Sequence, residues 1–177
     1  MRVVAGAHRG RTLRAPPGRG TRPTSDRVRE ALFSILGDVS ADDVLDLFAG
    51  SGALGIEALS RGAAHATFVE SSRRAAHALR ANLSAVGDPP AEVHVEDVLD
   101  YLRRARGRAT YDLVFADPPY SSAPRLGERL SELLPGVLHE SSLTVTESDK
   151  RAPLALDLPL VDERTYGDTR IAIHRGL

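Results

Sequence analysis

The chain has 177 residues, of which 42% are hydrophobic and 27% charged, as expected for one ordinary folded domain. It contains no cysteine, which excludes disulfide frameworks, thiolate metal sites and cysteine nucleophiles. No apolar stretch approaches the roughly 20 residues of a membrane span, and none forms a signal peptide. We therefore expect a cytoplasmic protein that does not enter a membrane.

The net charge of −1 conceals an uneven distribution of charge along the chain. Residues 1–25 include six arginines, and all 24 acidic residues lie beyond them. A basic segment on an acidic body is typical of proteins that contact a phosphate backbone. A general preference for arginine would explain which cation is used, but not why acids avoid this segment. The residues predicted to contact nucleic acid are Arg9, Arg11, Arg14, Arg19, Arg22 and Arg29.

The sequence predicts that the N-terminal residues form a small extension of the main domain. Residues 2–5 and 11–14 are predicted to pair as a short hairpin, followed by a connector rich in proline and glycine at residues 15–20. We therefore predict a basic N-terminal hairpin extension at residues 1–20 and a second, main domain at residues 21–177. We expect the extension to recognise the substrate and to be separable from the catalytic core. The alternative is a structural lid over the sheet.

The main domain begins with a helix and continues as alternating strands and helices. Thr24 or Ser25 is the predicted N-cap of the first helix, which ends at Gly37. Further helices are predicted after the glycine-rich turn to residue 61 and at residues 73–86, 98–106 and 123–134. Strands are predicted at residues 44–48, 65–70, 92–95, 111–116 and 143–147, with a closing hairpin at 160–166 and 169–174.

This alternation predicts an α/β fold with a mostly parallel sheet covered by helices on both faces. The last two strands are separated by Gly167 and Asp168, so we expect them to close the sheet as an antiparallel hairpin. Ligands of such sheets bind beyond the carboxyl ends of the strands, where the strand order reverses. Candidate functional residues are therefore sought at those ends.

A glycine-rich turn follows the first predicted strand. Gly50, Gly52 and Gly55 have the spacing G-x-G-x-x-G, and Glu70 ends the next strand 20 residues beyond Gly50. Glycine lets the backbone approach a ligand, and amides at a helix N-terminus face a carboxylate or phosphate. Glu70 is placed to accept a ribose hydroxyl, although a solvated strand end would look the same. The pattern predicts a cofactor that carries a nucleoside.

NAD fits the chain less well than S-adenosylmethionine. The chain has no room for a second nucleotide-binding half, and Asp46 suits the ammonium of an amino-acid tail better than a pyrophosphate. Asp97 follows the third strand, where it is placed to accept a hydrogen bond from an adenine amine or merely to cap the next helix. The predicted cofactor-binding residues are Asp46, Phe48, Gly50, Gly52, Glu70, Asp97 and Val98.

A second motif, after the glycine-rich turn, is the tetrad Asp117-Pro118-Pro119-Tyr120, which follows the strand at residues 111–116. The Asp117 carboxylate and the Pro118 carbonyl are placed to accept N–H bonds from a conjugated amine, and Tyr120 offers a stacking face for a base. We predict Asp117, Pro118 and Tyr120 as catalytic residues. A simple turn is the alternative, which the glycine-rich turn upstream disfavours. The six histidines show no ligand-like spacing, so no metal is expected.

Several stretches together resemble the RsmD family, bacterial methyltransferases that act on guanine N2 of 16S ribosomal RNA. The stretches are residues 2–6, 10–13, 22–33, 46–55, 117–120 and 166–169, and the match spans residues 2 to about 173. The resemblance implies a Rossmann-like class I methyltransferase with a seven-stranded sheet and a small N-terminal hairpin. It also implies cofactor contacts from Asp46, Gly50, Gly52, Glu70 and Asp97, and a guanine site at residues 117–120.

The expected substrate is 16S rRNA, within the 30S subunit or an assembly intermediate, and we expect a monomer. The choice of guanine N2 depends on the resemblance alone, because the tetrad at 117–120 would serve adenine N6 equally well. Three hypotheses follow: this rRNA methyltransferase, a methyltransferase for another exocyclic amine in RNA or DNA or for a protein amide, and a non-catalytic RNA-binding assembly protein. The basic segment disfavours a protein substrate, and the intact tetrad disfavours the non-catalytic protein.

Overall fold

A seven-stranded sheet organises the computed structural model, which describes residues 1–16, 25–119 and 123–177. The strands are β1 (Asp43–Leu47), β2 (His65–Val69), β3 (Ala91–His94), β4 (Tyr111–Ala116), β5 (Leu138–Asp149), β6 (Leu160–Tyr166) and β7 (Thr169–Arg175). The helices are α1 (Asp26–Leu36), α2 (Ala53–Ser60), α3 (Arg73–Ala85), α4 (Val98–Ala105) and α5 (Ala123–Leu133), with a 3-10 turn at Leu134–Val137. The predicted fold class is confirmed.

The strand order is β3-β2-β1-β4-β5-β7-β6. The first five of these pair in parallel, and β7 runs antiparallel between β5 and β6 as the predicted closing hairpin. From β1 the chain first moves outward through β2 and β3, and then returns to β4 on the other side. The order therefore reverses between β1 and β4, which makes the carboxyl ends of these two strands the expected ligand site.

Each face of the sheet carries its own hydrophobic core. One core joins the sheet to α1, α2 and α3, and includes Phe33, Phe68 and Phe115. The rings of Phe33 and Phe115 lie 5.8 Å apart, which ties α1 to the middle of the sheet. The other core joins α4 and α5 to the opposite face. Both faces of the parallel strands are thus buried, as their apolar sequences require.

The predicted boundaries agree with the structure to within one or two residues, except at β5. The Ser25 Oγ accepts a hydrogen bond from the Val28 N–H at 3.3 Å, so Ser25 is the cap of α1. Strand β5 begins at Leu138, five residues before the predicted start. The prediction begins too late because polar residues at 139–142 interrupt the apolar pattern that indicates a strand. Pairing with β4 carries the strand through this polar stretch, with a register shift between Tyr111 and Leu113.

The N-terminal segment, defined here as residues 1–14, does not form the two predicted strands. It contains one antiparallel bridge, between Arg2 and Thr12. The Val3 N–H donates to the Arg11 carbonyl and the Leu13 N–H to the Met1 carbonyl, both at 3.0 Å. The amides of Val4 and Ala5 donate instead to the carboxylate of Glu57 on α2, at 2.7 and 3.0 Å. The pairing covers residues 1–3 and 11–13, and the predicted hairpin of residues 2–5 with 11–14 is not confirmed.

The N-terminal segment packs closely against α2 and α3. Val3 and Leu13 are buried in the core that α1, α2 and α3 share. A Cβ built on Gly6 would lie 1.7 Å from the Ser60 carbonyl oxygen, so only glycine permits this approach to α2. Residues 17–24, which include most of the predicted connector, lie outside the described residues. The packing of residues 1–14 favours the structural lid over a separable extension.

Candidate active site

Three acidic side chains lie together where β1, β4 and β5 end. Asp46 is 2% exposed and Glu147 is 5% exposed, while Asp117 follows β4 directly and is half-buried. Asp46 pairs with Phe115, and Ala116 pairs with Thr146, so Asp117 and Glu147 are the next neighbours in register. Because successive side chains alternate between the faces, all three carboxylates lie on the Phe115 face, beneath α1 and α2.

Burial shifts the titration of these acids. Burial raises the pKa of Asp46 to about 8. The hydrogen bond from the Gly55 N–H lowers this pKa in part, and the charge of Glu70 raises it further. Burial likewise raises the pKa of Asp117 well above its ordinary value, and the charges of Glu147 and Asp46 add to the rise. These causes shift Asp117 toward its protonated form, and a positive charge next to it would shift it back toward the carboxylate. Such perturbed acids in a cluster are typical of functional sites.

Two carboxylates hold the glycine-rich turn from opposite sides. The Asp46 Oδ2 accepts the Gly55 N–H at 3.0 Å, and the Glu70 Oε2 accepts the Gly50 N–H at 2.9 Å. The other Glu70 oxygen accepts the Ser72 N–H at 2.7 Å. Each of these oxygens keeps a further lone pair, so both acids remain able to accept a ligand donor.

The glycines of the turn serve different purposes. Gly52 has a φ of +77°, and a Cβ there would lie 2.2 Å from the Leu79 Cδ1, inside the core. A Cβ on Gly50, which has a φ of +56°, would meet no atom closer than the Phe48 oxygen at 3.9 Å. The backbone at Gly50 is therefore the part of the turn that is open to a ligand. Packing and the positive φ both require glycine at position 52, and its predicted contact with the cofactor stays a prediction.

The remaining predicted cofactor residues border this turn. Phe48 connects β1 to the turn with a φ of +62°, a conformation uncommon outside glycine. Asp97 caps α4, because its Oδ1 accepts from the amides of Leu99 and Asp100 at 2.8 and 3.3 Å. Its Oδ2 forms no hydrogen bond with the described residues and belongs to an exposed side chain. The Val98 side chain is buried in the core beneath α4. Capping and adenine binding by Asp97 are thus compatible.

The structure describes two of the three predicted catalytic residues, Asp117 and Pro118. Asp117 lies at the carboxylate cluster, and Pro118 is buried. Tyr120 lies outside the described residues, so its predicted stacking role stays a prediction.

The predicted RNA-binding arginines separate into three groups. Arg9, Arg11 and Arg14 are exposed, and Arg19 and Arg22 lie outside the described residues. Arg29 is 0% exposed: its Nη2 donates to the Asp26 Oδ1 at 2.8 Å and to the backbone oxygen of Arg2.

The prediction that Arg29 contacts RNA is therefore wrong. Arg29 lies on the face of α1 that packs against α2 and the N-terminal segment, where it neutralises neighbouring acids. The sequence does not reveal this burial. The position of Arg29, four residues after the helix cap, does not show which face of α1 is buried, because that depends on the elements that pack against the helix.

Sequence reasoning missed several residues that shape the site. Glu147 is one of three acids on β5, with Glu140 and Asp149, and its place beside Asp117 follows only from the β4–β5 register. Asn82 on α3 joins the N-terminal segment to the glycine-rich turn: its Nδ2 donates to the Ser51 and Arg14 carbonyls at 2.9 and 3.0 Å, and its Oδ1 accepts the Arg14 N–H at 2.8 Å. The available signal in the sequence was that Asn82, a polar residue, occupies a position on the apolar face of the predicted helix.

Comparison with known proteins places this arrangement in a family. A family model described as conserved hypothetical protein 95 matches residues 1–175. A Haemophilus influenzae relative named ribosomal RNA small subunit methyltransferase D is 37% identical, with 94% of this chain and 89% of the relative covered. Its Escherichia coli namesake is 41% identical, with 84% and 75% covered. The chain belongs to this family, the RsmD family.

A solved structure matches the whole fold. A hypothetical protein of Thermus thermophilus superimposes with a TM-score of 0.85 and is 31% identical, covering 99% of both chains. The family model, which spans residues 1–175, includes the N-terminal segment. The resemblance to the RsmD family found in the sequence motifs is confirmed.

None of the helices within residues 1–16, 25–119 and 123–177 combines the length and apolar character needed to cross a membrane. Nor do the same ranges contain a group of three or more His, Cys, Asp or Glu side chains arranged to hold a metal ion.

Proposed function

We propose that the protein transfers a methyl group from S-adenosylmethionine to the exocyclic N2 amine of a guanine in 16S rRNA. The observation that carries the proposal is the position of Asp117, half-buried at the switch point of an RsmD-family sheet beside Asp46 and Glu147. An acid in this position is suited to a substrate nitrogen that gains positive charge as it reacts.

The residues around the glycine-rich turn fit the cofactor. Asp46 is placed for the ammonium of the amino-acid tail, the open backbone at Gly50 for close approach, and Glu70 for the ribose hydroxyls. Asp97 has an oxygen left for the adenine amine. When bound, S-adenosylmethionine supplies a methyl group on a positively charged sulfur that keeps the C–S electron pair and leaves as a neutral thioether.

Asp117 and Pro118 act on the amine of the base. The lone pair of guanine N2 is delocalised into the ring, so the free amine is a poor nucleophile. Acceptance of its N–H bonds by the Asp117 carboxylate and the Pro118 carbonyl would localise the lone pair on nitrogen. As the C–N bond forms, the nitrogen becomes positive and its proton passes to Asp117. A positive nitrogen favours the ionised carboxylate, so Asp117 binds the transition state more strongly than the starting amine.

The proposed partner is rRNA, in the 30S subunit or an assembly intermediate, bound by a monomer. Arg9, Arg11 and Arg14 support this partner, because they are exposed on a segment without acidic residues. Their phosphate contacts would fix the register in which an extruded base meets Asp117.

A transfer assay with labelled methyl tests the function directly. The protein is offered 30S particles, naked 16S rRNA, duplex DNA and bulk protein in parallel, and labelled RNA is digested to nucleosides. We expect label in N2-methylguanosine from an rRNA substrate and none in DNA or protein. Label in N6-methyladenosine would overturn the choice of base, and no label in any substrate would support the non-catalytic assembly protein.

The pKa of Asp46 predicts proton release when the cofactor binds. A carboxyl with a pKa of about 8 is mostly protonated at pH 7, whereas pairing with the cofactor ammonium favours the ionised form. Cofactor affinity should therefore rise by up to about tenfold per pH unit below that pKa, and level off where the ligand amine itself deprotonates, at about 7.7–8.0. Calorimetry of S-adenosylmethionine binding in buffers of different ionisation enthalpy measures the released proton.

The matched control for this measurement is Asp46→Asn, which keeps the shape of the side chain but cannot titrate. The variant should bind more weakly and release no proton. Equal proton release by the wild type and Asp46→Asn would show that another group is responsible.

A further inference from the structure

Helix α3 carries only basic charges, and all of them point to solvent. Its sequence holds Arg73, Arg74 and Arg80 and no acidic residue. The three arginines are exposed, together with His77, while the alanines and leucines of the opposite face are buried. Arg73, His77 and Arg80 are spaced i, i+4, i+7, so they form one stripe along the helix. This stripe, with Arg74 beside it, is the basic face of α3.

The arginines of the basic face have no acids paired with them among the described residues. Several exposed arginines on other elements do pair with acids, among them Arg103 with Asp100, Arg104 with Glu96 and Arg151 with Asp168. Arg73, Arg74 and Arg80 have no acidic partner within the described ranges, and neither do Arg9, Arg11 and Arg14. Unpaired cations on one surface retain their full attraction for an anionic ligand.

The N-terminal segment is bonded to the buried side of α3. Asn82, which is 1% exposed, bonds to both the N–H and the carbonyl of Arg14. It follows Arg80 by two residues, roughly 200° of helix turn, so it faces away from the basic stripe. The same Asn82 side chain donates to the Ser51 carbonyl in the glycine-rich turn. The first turn of α3 begins just after Glu70, at the cofactor end of the sheet. From Arg73 to Arg80 the helix rises by about 10 Å. Arg73 and Arg74, in the first turn of α3, thus lie near the cofactor end of the sheet.

We propose that the basic face of α3, together with the arginines of the N-terminal segment, binds the phosphates of the RNA substrate. This inference rests on the proposed function and assigns Arg73, Arg74 and Arg80 to substrate binding. Phosphate contacts of this kind are independent of base sequence, so the surface sets the affinity and register of the RNA, and Asp117 acts on the base.

The test compares two triple variants that remove the same charge from opposite faces of the sheet. Arg73→Gln/Arg74→Gln/Arg80→Gln alters the basic face of α3. The matched control, Arg103→Gln/Arg108→Gln/Arg129→Gln, alters exposed arginines on and after α4 and on α5. Binding of a 16S rRNA transcript is measured over a range of salt concentrations, alongside S-adenosylmethionine affinity and the kinetics of methyl transfer to whichever rRNA substrate the wild type modifies.

The α3 variant should bind RNA with a log–log salt slope shallower than that of the control by about 2, since each phosphate contact contributes roughly 0.7–0.9. Its KM for RNA should rise by about tenfold or more, with cofactor affinity and the rate at saturating RNA unchanged. Equal salt slopes in the two variants, or weakened cofactor binding in the α3 variant, would overturn the proposed surface. A wild type that methylates no RNA would instead overturn the proposed function.

Discussion

Replacement of Asp117 by alanine is expected to lower the rate constant for methyl transfer by about 10²–10³, the usual effect of losing one preorganised electrostatic partner. Asp117 lies in the carboxylate cluster and is the acid that directly precedes the prolines of the tetrad. Cofactor affinity should stay near that of the wild type, because Asp46 and Glu70 make the contacts to the glycine-rich turn. Single-turnover kinetics with saturating RNA separate the chemical step from binding.

The pH profile identifies the carboxylate as the group responsible. Burial and the Glu147 charge raise the pKa of Asp117, so its ionised form is lost as the pH falls, and activity should fall on the acid side. Glu147→Gln removes one of the causes of the raised pKa, and should shift this acid limb to lower pH. Asp117→Asn should lose the limb as well as most of the rate.

The control for the catalytic prediction is Asp100→Ala, which removes an exposed carboxylate on α4 that pairs with Arg103. This variant should transfer methyl groups at the wild-type rate. Full turnover by Asp117→Ala would reduce the tetrad to a turn, and would leave the carboxylate cluster without a catalytic role.

Replacement of Glu57 by alanine is expected to lower the free energy of unfolding by about 3–5 kcal/mol, the cost of breaking a buried ion pair by removing one partner. Glu57 is fully buried, accepts the Val4 and Ala5 amides, and pairs with Arg61 at 2.8 Å. The buried Arg29 lies 3.7 Å away. The alanine variant would thus leave Arg29 without its buried acidic neighbour and two amides without their acceptor. Urea denaturation measures the loss.

Glu132→Ala provides the surface comparison, because Glu132 pairs with Arg129 on exposed side chains. Its effect should stay within about 0.5 kcal/mol. Deletion of residues 1–14 should destabilise the domain at least as much as Glu57→Ala, since it also removes Val3 and Leu13 from the core. A truncated protein with wild-type stability would restore the separable extension that the sequence predicts.

The order of elements and most of the cofactor turn could be predicted from the sequence. The sequence predicts β4 from its first residue to its last, and it offers two candidates for the N-cap of α1, one of which is the observed cap Ser25. These features depend on local signals: apolar runs, helix caps and glycine spacing. Asp46, Glu70 and Asp117 could be found in the same way, because each follows or ends an apolar strand and the ends of parallel strands meet at one edge.

Only the tertiary structure decided which of the charged residues act together. Glu147 joins Asp117 through the register of β4 and β5, whose residues are distant in sequence, while Arg29 is taken out of the RNA surface by the packing of α1. The N-terminal segment, which the sequence presents as a basic appendage, gives its amides to Glu57 and its backbone at Arg14 to Asn82. Burial and pairing of charges are set by contacts between elements, and these contacts leave no periodic pattern along the chain.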